Sequence, residues 1–187
     1  IPTEQLTIHT VAEQSGPVPS ALGWSIGGPK TAADFGFDDA PLLDILLLPG
    51  GFGTASELDN PRMMSFLSQR ASAAQITCSV CSGSALLAKA GVLDGHRATS
   101  NKQLFALAVN QSDKVDWVES ARWVDDGPVV TASGVSAGMD MSLAVIQRLW
   151  GEDVARQTAE LAEYTWHEDA DSDPFASGLN KAVAMLG

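Results

Sequence analysis

One cysteine lies where the sequence changes from a buried strand to a helix. The apolar run of residues 75–80 is followed by Cys81-Ser82-Gly83 and then by residues 84–90, whose composition favours a helix. Small residues let the backbone turn sharply, so this order predicts a nucleophile elbow, in which a strand-to-helix turn holds one side chain above the sheet. The thiol of Cys81 would also face the positive end of the following helix, which favours the thiolate over the thiol. The sequence therefore predicts a reactive cysteine at position 81.

The second cysteine, Cys78, creates a Cys-x-x-Cys spacing that is also found in thioredoxin-type redox sites. Such a site needs its first cysteine at the start of a helix, whereas Cys78 lies inside the predicted strand. Free cysteines in apolar strands commonly act as small hydrophobic side chains. We therefore expect Cys78 to pack in the core.

The composition favours a single soluble, globular domain. The 187 residues are 45% hydrophobic and 18% charged, which is enough for one well-packed core. The longest aliphatic run, residues 42–48, is interrupted by Asp44 and falls short of the ~20 apolar residues of a membrane span. A formal net charge of -12 disfavours binding to nucleic acid. Two cysteines are too few for a disulfide-rich secreted framework, so we expect a reducing, cytoplasmic location.

Strands and helices alternate along the chain, and this alternation predicts a three-layer α/β domain with a mostly parallel sheet. The predicted strands are residues 6–11, 42–48, 75–80, 97–99, 116–124 and 129–132, and the predicted helices begin after Asn60 or span residues 84–90, 102–109, 139–150 and 153–166. Reactive groups in such sheets gather at the carboxyl ends of the strands. The turn Pro49-Gly50-Gly51 and the turn at Cys81 both fall at that edge.

The remaining polar patterns predict no metal and no cofactor. Asp169-x-Asp171-x-Asp173 begins like a calcium loop, but Pro174 stands where that loop requires glycine. The pair Gly51 and Gly53 lacks the third glycine of a dinucleotide fingerprint. Asp140 lies near the start of a predicted helix, where we expect its charge to stabilise the helix dipole.

Five motifs, taken in order, resemble the ThiJ/PfpI family of the class I glutamine-amidotransferase-like superfamily, and the resemblance spans nearly the whole chain. The motifs are Leu48-Pro49-Gly50-Gly51, Ser79-Val80-Cys81-Ser82-Gly83, the segment Ala90-Gly91-Val92-Leu93-Asp94-Gly95-His96-Arg97-Ala98-Thr99, Ser133-Gly134-Val135-Ser136-Ala137-Gly138-Met139-Asp140, and Glu163-Tyr164. Within the family, the chain is most similar to the branch that contains isonitrile hydratases and the amidase-like domains of certain transcription regulators.

The resemblance implies a flavodoxin-like fold, a homodimer and a small-molecule substrate. The composition and net charge, for their part, predict no membrane partner and no nucleic-acid partner. The resemblance also implies Cys81 as the nucleophile and the backbone N–H groups of Gly51 and Ser82 as oxyanion donors. Amides fixed by a glycine-rich turn and a helix start suit this role, because they are already oriented toward developing negative charge. The same resemblance gives three pocket candidates, which are Gly50, Asn101 and Val135.

The sequence departs from the family pattern in two places. Many members carry a catalytic histidine after the Ala-Thr motif, whereas Ser100-Asn101 stands there in this chain. Relatives also place an acidic residue from their first strand-helix unit against the cysteine, and that unit would lie upstream of Ile1. We therefore expect residues 1–187 to form a single ThiJ/PfpI-like domain that lacks its first strand-helix unit.

The absence of a histidine after the Ala-Thr motif affects which reaction we expect at Cys81. Amide hydrolysis expels an amine that must be protonated as it leaves, and an imidazolium is the usual donor. Adding water across an isonitrile expels no amine, so the sequence favours a hydratase-like lyase reaction on a small electrophile. Glyoxalase, deglycase or amidase-like chemistry is the enzymatic alternative. The second alternative is a non-enzymatic redox sensor, in which Cys81 is oxidised to a sulfinate.

Overall fold

The structure, a computed structural model, describes residues 6–18 and 31–181. In chain order the elements are β1 (Gly16–Val18), β2 (Thr31–Ala33), β3 (Ile45–Leu48), α1 (Thr54–Glu57), α2 (Pro61–Ala73), β4 (Ile76–Val80), α3 (Gly83–Lys89), β5 (Arg97–Ala98), α4 (Phe105–Val109), β6 (Asp116–Trp117), β7 (Trp123–Asp126), β8 (Val129–Ala132), α5 (Val135–Trp150), α6 (Glu152–Leu161) and a 3-10 turn at Ala176–Gly178. None of the helices within these residues is long and apolar enough to cross a membrane.

The main sheet has the strand order β3-β4-β8-β7. β3, β4 and β8 run parallel, with Leu46 opposite Thr77 and Cys78 opposite Val130. β7 lies antiparallel to β8, and a tight turn at Gly127 joins the two strands. The predicted α/β fold with a mostly parallel sheet is therefore confirmed.

Two apolar clusters lie on opposite faces of this sheet and give the domain its three layers. The first joins β3 to α2 and α3, and its most buried members include Leu67, Leu87 and Leu93. The second joins β4 and β8 to α5, through residues such as Cys78 and Met141. The central strand β4 is buried along nearly its whole length, as is usual for a parallel strand with helices on both faces of the sheet.

Helix α2 begins as the sequence predicts. The side chain of Asn60 accepts hydrogen bonds from the backbone N–H groups of Arg62 and Met63, and Pro61 occupies the first helical position. These contacts satisfy donors that have no partner inside the helix. Its apolar side carries Phe66 and Leu67 into the core.

Three predicted helix boundaries are wrong. The helix predicted at 102–109 begins only at α4. α5 begins four residues before the predicted Met139, because Gly134 is extended and its carbonyl already accepts from the N–H of Gly138. The helix predicted at 153–166 ends at Leu161, where Glu163 adopts a positive φ and the N–H of Tyr164 bonds back to Ala159. This left-handed turn stops the helix.

The predicted strand at 116–124 is divided in two. Its first part is β6, which pairs in parallel with β5, and its second part is β7, which forms the predicted hairpin with β8. The change of partner occurs in the residues between them, where Ala121 accepts a hydrogen bond from the ammonium of Lys102.

The predicted strand at residues 6–11 is also wrong. Only Val11 makes a bridge, to Phe35, and the side chain of Ile8 is 78% exposed. Backbone hydrogen bonds link Thr10 and Ala12 to Asp34 and Phe35, but no backbone bond within the described residues reaches residues 6–9. An alternating sequence becomes a strand only where a neighbouring edge offers backbone partners along its length. β3 likewise has β4 as its only neighbour within the described part of the chain, and Leu47 on that strand is 53% exposed.

The turns that follow β3 and β4 touch each other through glycine. A Cβ placed on Gly50 would lie 2.5 Å from the backbone N of Ser82, and one placed on Gly83 would lie 2.5 Å from the carbonyl oxygen of Leu48. Both distances are far inside van der Waals contact, so any larger residue would push the two turns apart. The sequence meets this requirement with glycine at both positions.

We predict that Gly83→Ala lowers the free energy of unfolding by roughly 2 kcal/mol or more, because the new methyl group meets rigid backbone atoms. Urea unfolding measures this value. Gly134→Ala is the matched control, since a Cβ there meets no atom within 4 Å, and its cost at a helix N-cap should stay below about 1 kcal/mol. Equal losses in the two variants would contradict the close contact.

Candidate active site

Cys81 occupies a strained turn between β4 and α3. Its φ angle is 60°, a left-handed conformation that is uncommon for a residue with a side chain. The backbone holds it there: its N–H donates to the carbonyl of Ala132 at 3.1 Å, and its carbonyl accepts from the hydroxyls of Ser84 and Ser100 at 3.2 and 3.3 Å. The side chain remains partly exposed. This geometry is the strand-to-helix elbow that the sequence predicts.

The two predicted oxyanion donors lie next to each other. The N–H of Gly51 donates to Oγ of Ser82 at 3.1 Å, and the same Oγ lies 2.9 Å from Oγ1 of Thr54. In this arrangement the Gly51 amide already has a partner. It can serve an oxyanion only after exchanging the Ser82 hydroxyl for the substrate oxygen, so its role stays a prediction.

The three pocket candidates have different surroundings. Gly50 forms the close contact with the elbow, which makes it a packing position. Asn101 uses its Oδ1 to accept from the N–H of Leu104 at 3.1 Å. Val135, the first residue of α5, is 75% exposed. Asn101 and Val135 line the same cavity, and Gly50 does not.

This cavity has a volume of ≈ 410 Å³ and is lined in part by the segments that follow β5 and β8. Its lining residues are Asn101, Lys102, Gln103, Arg122, Ser133, Gly134, Val135, Ser136, Met139, Asp173 and Phe175. Cys81 is not among them. Ser100 and Ala132, which form hydrogen bonds with the backbone of Cys81, each immediately precede a residue that lines the cavity. The cavity therefore adjoins the elbow without enclosing the thiol.

Asp140 does not serve the helix dipole, as the sequence suggested. It is fully buried in α5, and its Oδ2 accepts from Nε and Nη2 of Arg122 at 2.8 and 2.6 Å. Its Oδ1 accepts from the hydroxyl of Tyr164 and the N–H of His167. Burial, and then the bond to Asp140, raise the pKa of Tyr164. Asp140 thus ties the segment after α6 to the cavity wall.

Lys102 is a buried lysine that the sequence analysis missed. Its Nζ donates to Oγ1 of Thr99 at 2.7 Å and to the carbonyl of Ala121 at 2.6 Å, and it lies over the ring of Phe105. No carboxylate within the described residues lies at ion-pair distance from it. Burial therefore lowers its pKa from 10.5 to about 8. The sequence gives no signal for this burial, because Lys102 is the first residue of a predicted helix.

Two of the three histidines contact partners other than Cys81. Nδ1 of His96 lies 2.7 Å from Oδ2 of Asp126, and the ring of His9 packs edge-on against Phe35. In the part of the chain that the structure describes, no hydrogen bond joins a histidine to Cys81, and no group of three His, Cys, Asp or Glu side chains could hold a metal ion.

Cys78 packs in the core, as predicted. Its side chain is 2% exposed, and burial, followed by the charge of Asp125, raises its pKa to about 12. A thiol with this pKa stays protonated and is a poor nucleophile. Both cysteines are free thiols, and the raised pKa of Cys78 does not suit it to a redox pair with Cys81.

A comparison with protein families identifies the chain. The model of the DJ-1/PfpI family matches residues 2–148. The chain belongs to the DJ-1/PfpI family. The resemblance to ThiJ/PfpI proteins that the motifs indicated is confirmed.

The DJ-1/PfpI relatives that resemble this chain include an enzyme and a transcriptional regulator. The chain is 32% identical to an isonitrile hydratase of Pseudomonas putida, over 91% of this chain and 69% of the relative. It is 29% identical to the HTH-type transcriptional regulator GbdR of Pseudomonas aeruginosa, over 75% of this chain but only 38% of the regulator. The crystal structure of a ThiJ/PfpI family protein from Pseudomonas syringae matches with a TM-score of 0.73 and 29% identity, covering 96% of this chain and 72% of that one.

We predict that the free energy of unfolding rises between pH 8 and pH 10.5, relative to that of the variant Lys102→Met. In this window the lysine of the unfolded chain keeps its proton while the buried amine has lost it, so the unfolded state binds more protons. The gain should approach roughly 3 kcal/mol at pH 10.5. Urea unfolding of both proteins across this range measures it. Parallel pH profiles would contradict the buried position of the amine.

Proposed function

We propose that Cys81 is the nucleophile of a hydratase-like lyase reaction on a small electrophilic substrate, with an isonitrile as the leading example. The observation that carries this proposal is the elbow, because a partly exposed thiol is held there at φ 60° beside a cavity. The 32% identity to an isonitrile hydratase supports the choice of substrate class.

The reaction balances without a cofactor. The thiolate of Cys81 attacks the terminal carbon of R–N≡C, and that carbon takes a proton, which leaves a thioimidate, S–CH=N–R. Water then adds to the same carbon, the C–S bond breaks, and R–NH–CHO leaves as the thiolate is restored. The sum is the addition of one water molecule to the isonitrile.

This reaction suits the site better than amide hydrolysis. A departing amine needs a proton donor of the kind that histidine usually supplies. The residue pair that stands in the place of that histidine is otherwise engaged, with Ser100 donating to the carbonyl of Cys81 and Asn101 accepting from Leu104. The hydratase reaction expels no amine, so it does not need a histidine proton donor at this place.

The amides of Gly51 and Ser82 have a defined part in this proposal. Negative charge develops on the oxygen of the added water only as its protons are removed before the C–S bond breaks, and two fixed N–H groups would stabilise that charge. The Gly51 amide would first have to leave the hydroxyl of Ser82, to which it donates at 3.1 Å.

The proposal also needs a proton carrier. We infer that it is an acidic side chain from a strand-helix unit that precedes this segment in the family fold. The outer edge of β3 supports this inference, since it has no partner among the described residues and Leu47 there is half-exposed. A homodimer and a cytoplasmic location belong to the same proposal, and they derive from the family resemblance and the composition.

We predict that Cys81→Ser lowers the rate of isonitrile consumption by about 10³-fold or more, because a serine hydroxyl is a far weaker nucleophile than a thiolate. Formamide production followed by chromatography measures this rate. Cys78→Ala is the matched control, since it removes the other thiol, and it should retain the rate per folded molecule. Undiminished turnover by Cys81→Ser would end the nucleophile assignment.

Two parallel assays separate the alternatives. Consumption of methylglyoxal in preference to isonitriles would favour glyoxalase or deglycase chemistry at the same thiol. Mild peroxide followed by intact-mass analysis tests the sensor, which predicts two added oxygen atoms on Cys81. That result, together with no turnover of either substrate, would replace the enzymatic proposal.

A further inference from the structure

The proposed reaction does not use the buried ammonium of Lys102. This residue is only 3% exposed, and a buried ammonium loses the hydration that it has in water. Replacing a buried ionic group by an apolar side chain of similar volume often leaves stability unchanged or raises it. Stability alone therefore does not account for a lysine at this position, and its contacts indicate where else it acts.

The ammonium closes a short turn that follows β5. Its Nζ donates to Oγ1 of Thr99, three residues earlier, at 2.7 Å, and to the carbonyl of Ala121 at 2.6 Å. It also lies over the ring of Phe105, 5.4 Å from the centroid. Lys102 thus joins the two ends of the turn to each other and to the segment that precedes β7.

Thr99, at the start of the turn, is also fixed to the sheet. Its N–H donates to Oγ1 of Thr131 at 2.8 Å, and its hydroxyl donates to the carbonyl of Val118 at 2.8 Å. Thr131 lies in β8, directly before Ala132, whose carbonyl accepts from the N–H of Cys81. The turn is therefore anchored beside the strand that holds the elbow.

Ser100 lies inside this turn and contacts the elbow. It is 1% exposed, and its hydroxyl donates to the carbonyl of Cys81 at 3.3 Å. The φ of 60° at Cys81 is a strained conformation, which persists only while its surroundings hold it. A hydroxyl on an anchored turn opposes relaxation of this conformation, whereas the same hydroxyl on a loose turn would move with it.

We propose that Lys102 is a positioning residue for Cys81 and acts through the anchored turn and the hydroxyl of Ser100. This inference rests on the proposed function, since it concerns the same nucleophile. Loss of the ammonium would loosen the turn, weaken the hold of Ser100 on the elbow and leave the thiol in a spread of orientations. A displacement of about 1 Å at a reacting group can cost about 100-fold in rate.

The variant Lys102→Met tests the proposal, because it removes the ammonium and keeps an unbranched side chain. We expect kcat for isonitrile hydration to fall about tenfold per folded molecule. KM should change less than about threefold, since the ammonium is committed to Thr99 and Ala121. Lys89→Met is the matched control. It removes an exposed lysine from the last turn of α3 and should change both constants less than about twofold.

A double-mutant cycle tests the route through Ser100. Ser100→Ala should also lower kcat about tenfold, and the combined variant should lower it by about the same factor, because both changes break one link. Effects that multiply to about 100-fold would overturn the proposal. Thr99→Val removes the hydroxyl that the ammonium contacts, and it should reproduce the tenfold loss if Lys102→Met folds poorly.

Hydrogen exchange at the amide of Cys81 separates this inference from the proposed function, because it requires no turnover. This N–H donates to Ala132 at 3.1 Å, so it exchanges only when the elbow opens. We expect about tenfold faster exchange in Lys102→Met, with the amides of α2 unchanged. Faster exchange in a protein that consumes no isonitrile would support the positioning role and contradict the hydratase reaction. Unchanged exchange, unchanged kcat or a rise in KM alone would overturn the proposal.

Discussion

Two backbone turns touch at the carboxyl edge of the sheet, and the position of Cys81 depends on their contact. Glycine at positions 50 and 83 lets the turn after β3 lie against the start of α3, at distances that no Cβ would permit. The hydroxyl of Ser82 then joins the turns by accepting from Gly51 and contacting Thr54. Cys81 is left in a left-handed conformation between two well-packed elements, where the fold sustains a strain that an isolated peptide would release.

The parts of the fold that local patterns determine could be predicted from the sequence. β3 is an aliphatic run and β4 a run of small and apolar residues, each ended by turn residues, and α2 carries its cap at Asn60. The elbow at Cys81 also follows from neighbouring residues, since a strand, two small residues and a helix occur in immediate succession. In each case the information lies within a few residues of the feature.

Features that depend on distant partners could not be predicted in this way. Residues 6–11 have the pattern of a strand, but a strand forms only beside an edge, and no residue within the segment reveals whether that edge exists. Asp140 looks like a helix-dipole residue until Arg122 is placed beside it by the β7–β8 hairpin. Lys102 looks like a surface residue until the carbonyl of Ala121 and the hydroxyl of Thr99 enclose its ammonium.

The two cysteines should differ strongly in reactivity, because the thiol of Cys81 lies partly exposed on a turn and that of Cys78 is buried in the core. Peptide-resolved alkylation of the native protein with iodoacetamide measures this contrast directly, with the urea-unfolded chain as the reference. We expect Cys81 to be labelled at least about 100-fold faster than Cys78 in the native state, and we expect the difference to disappear on unfolding. Labelling of both thiols at similar rates in the folded protein, or of Cys78 first, would contradict this expectation.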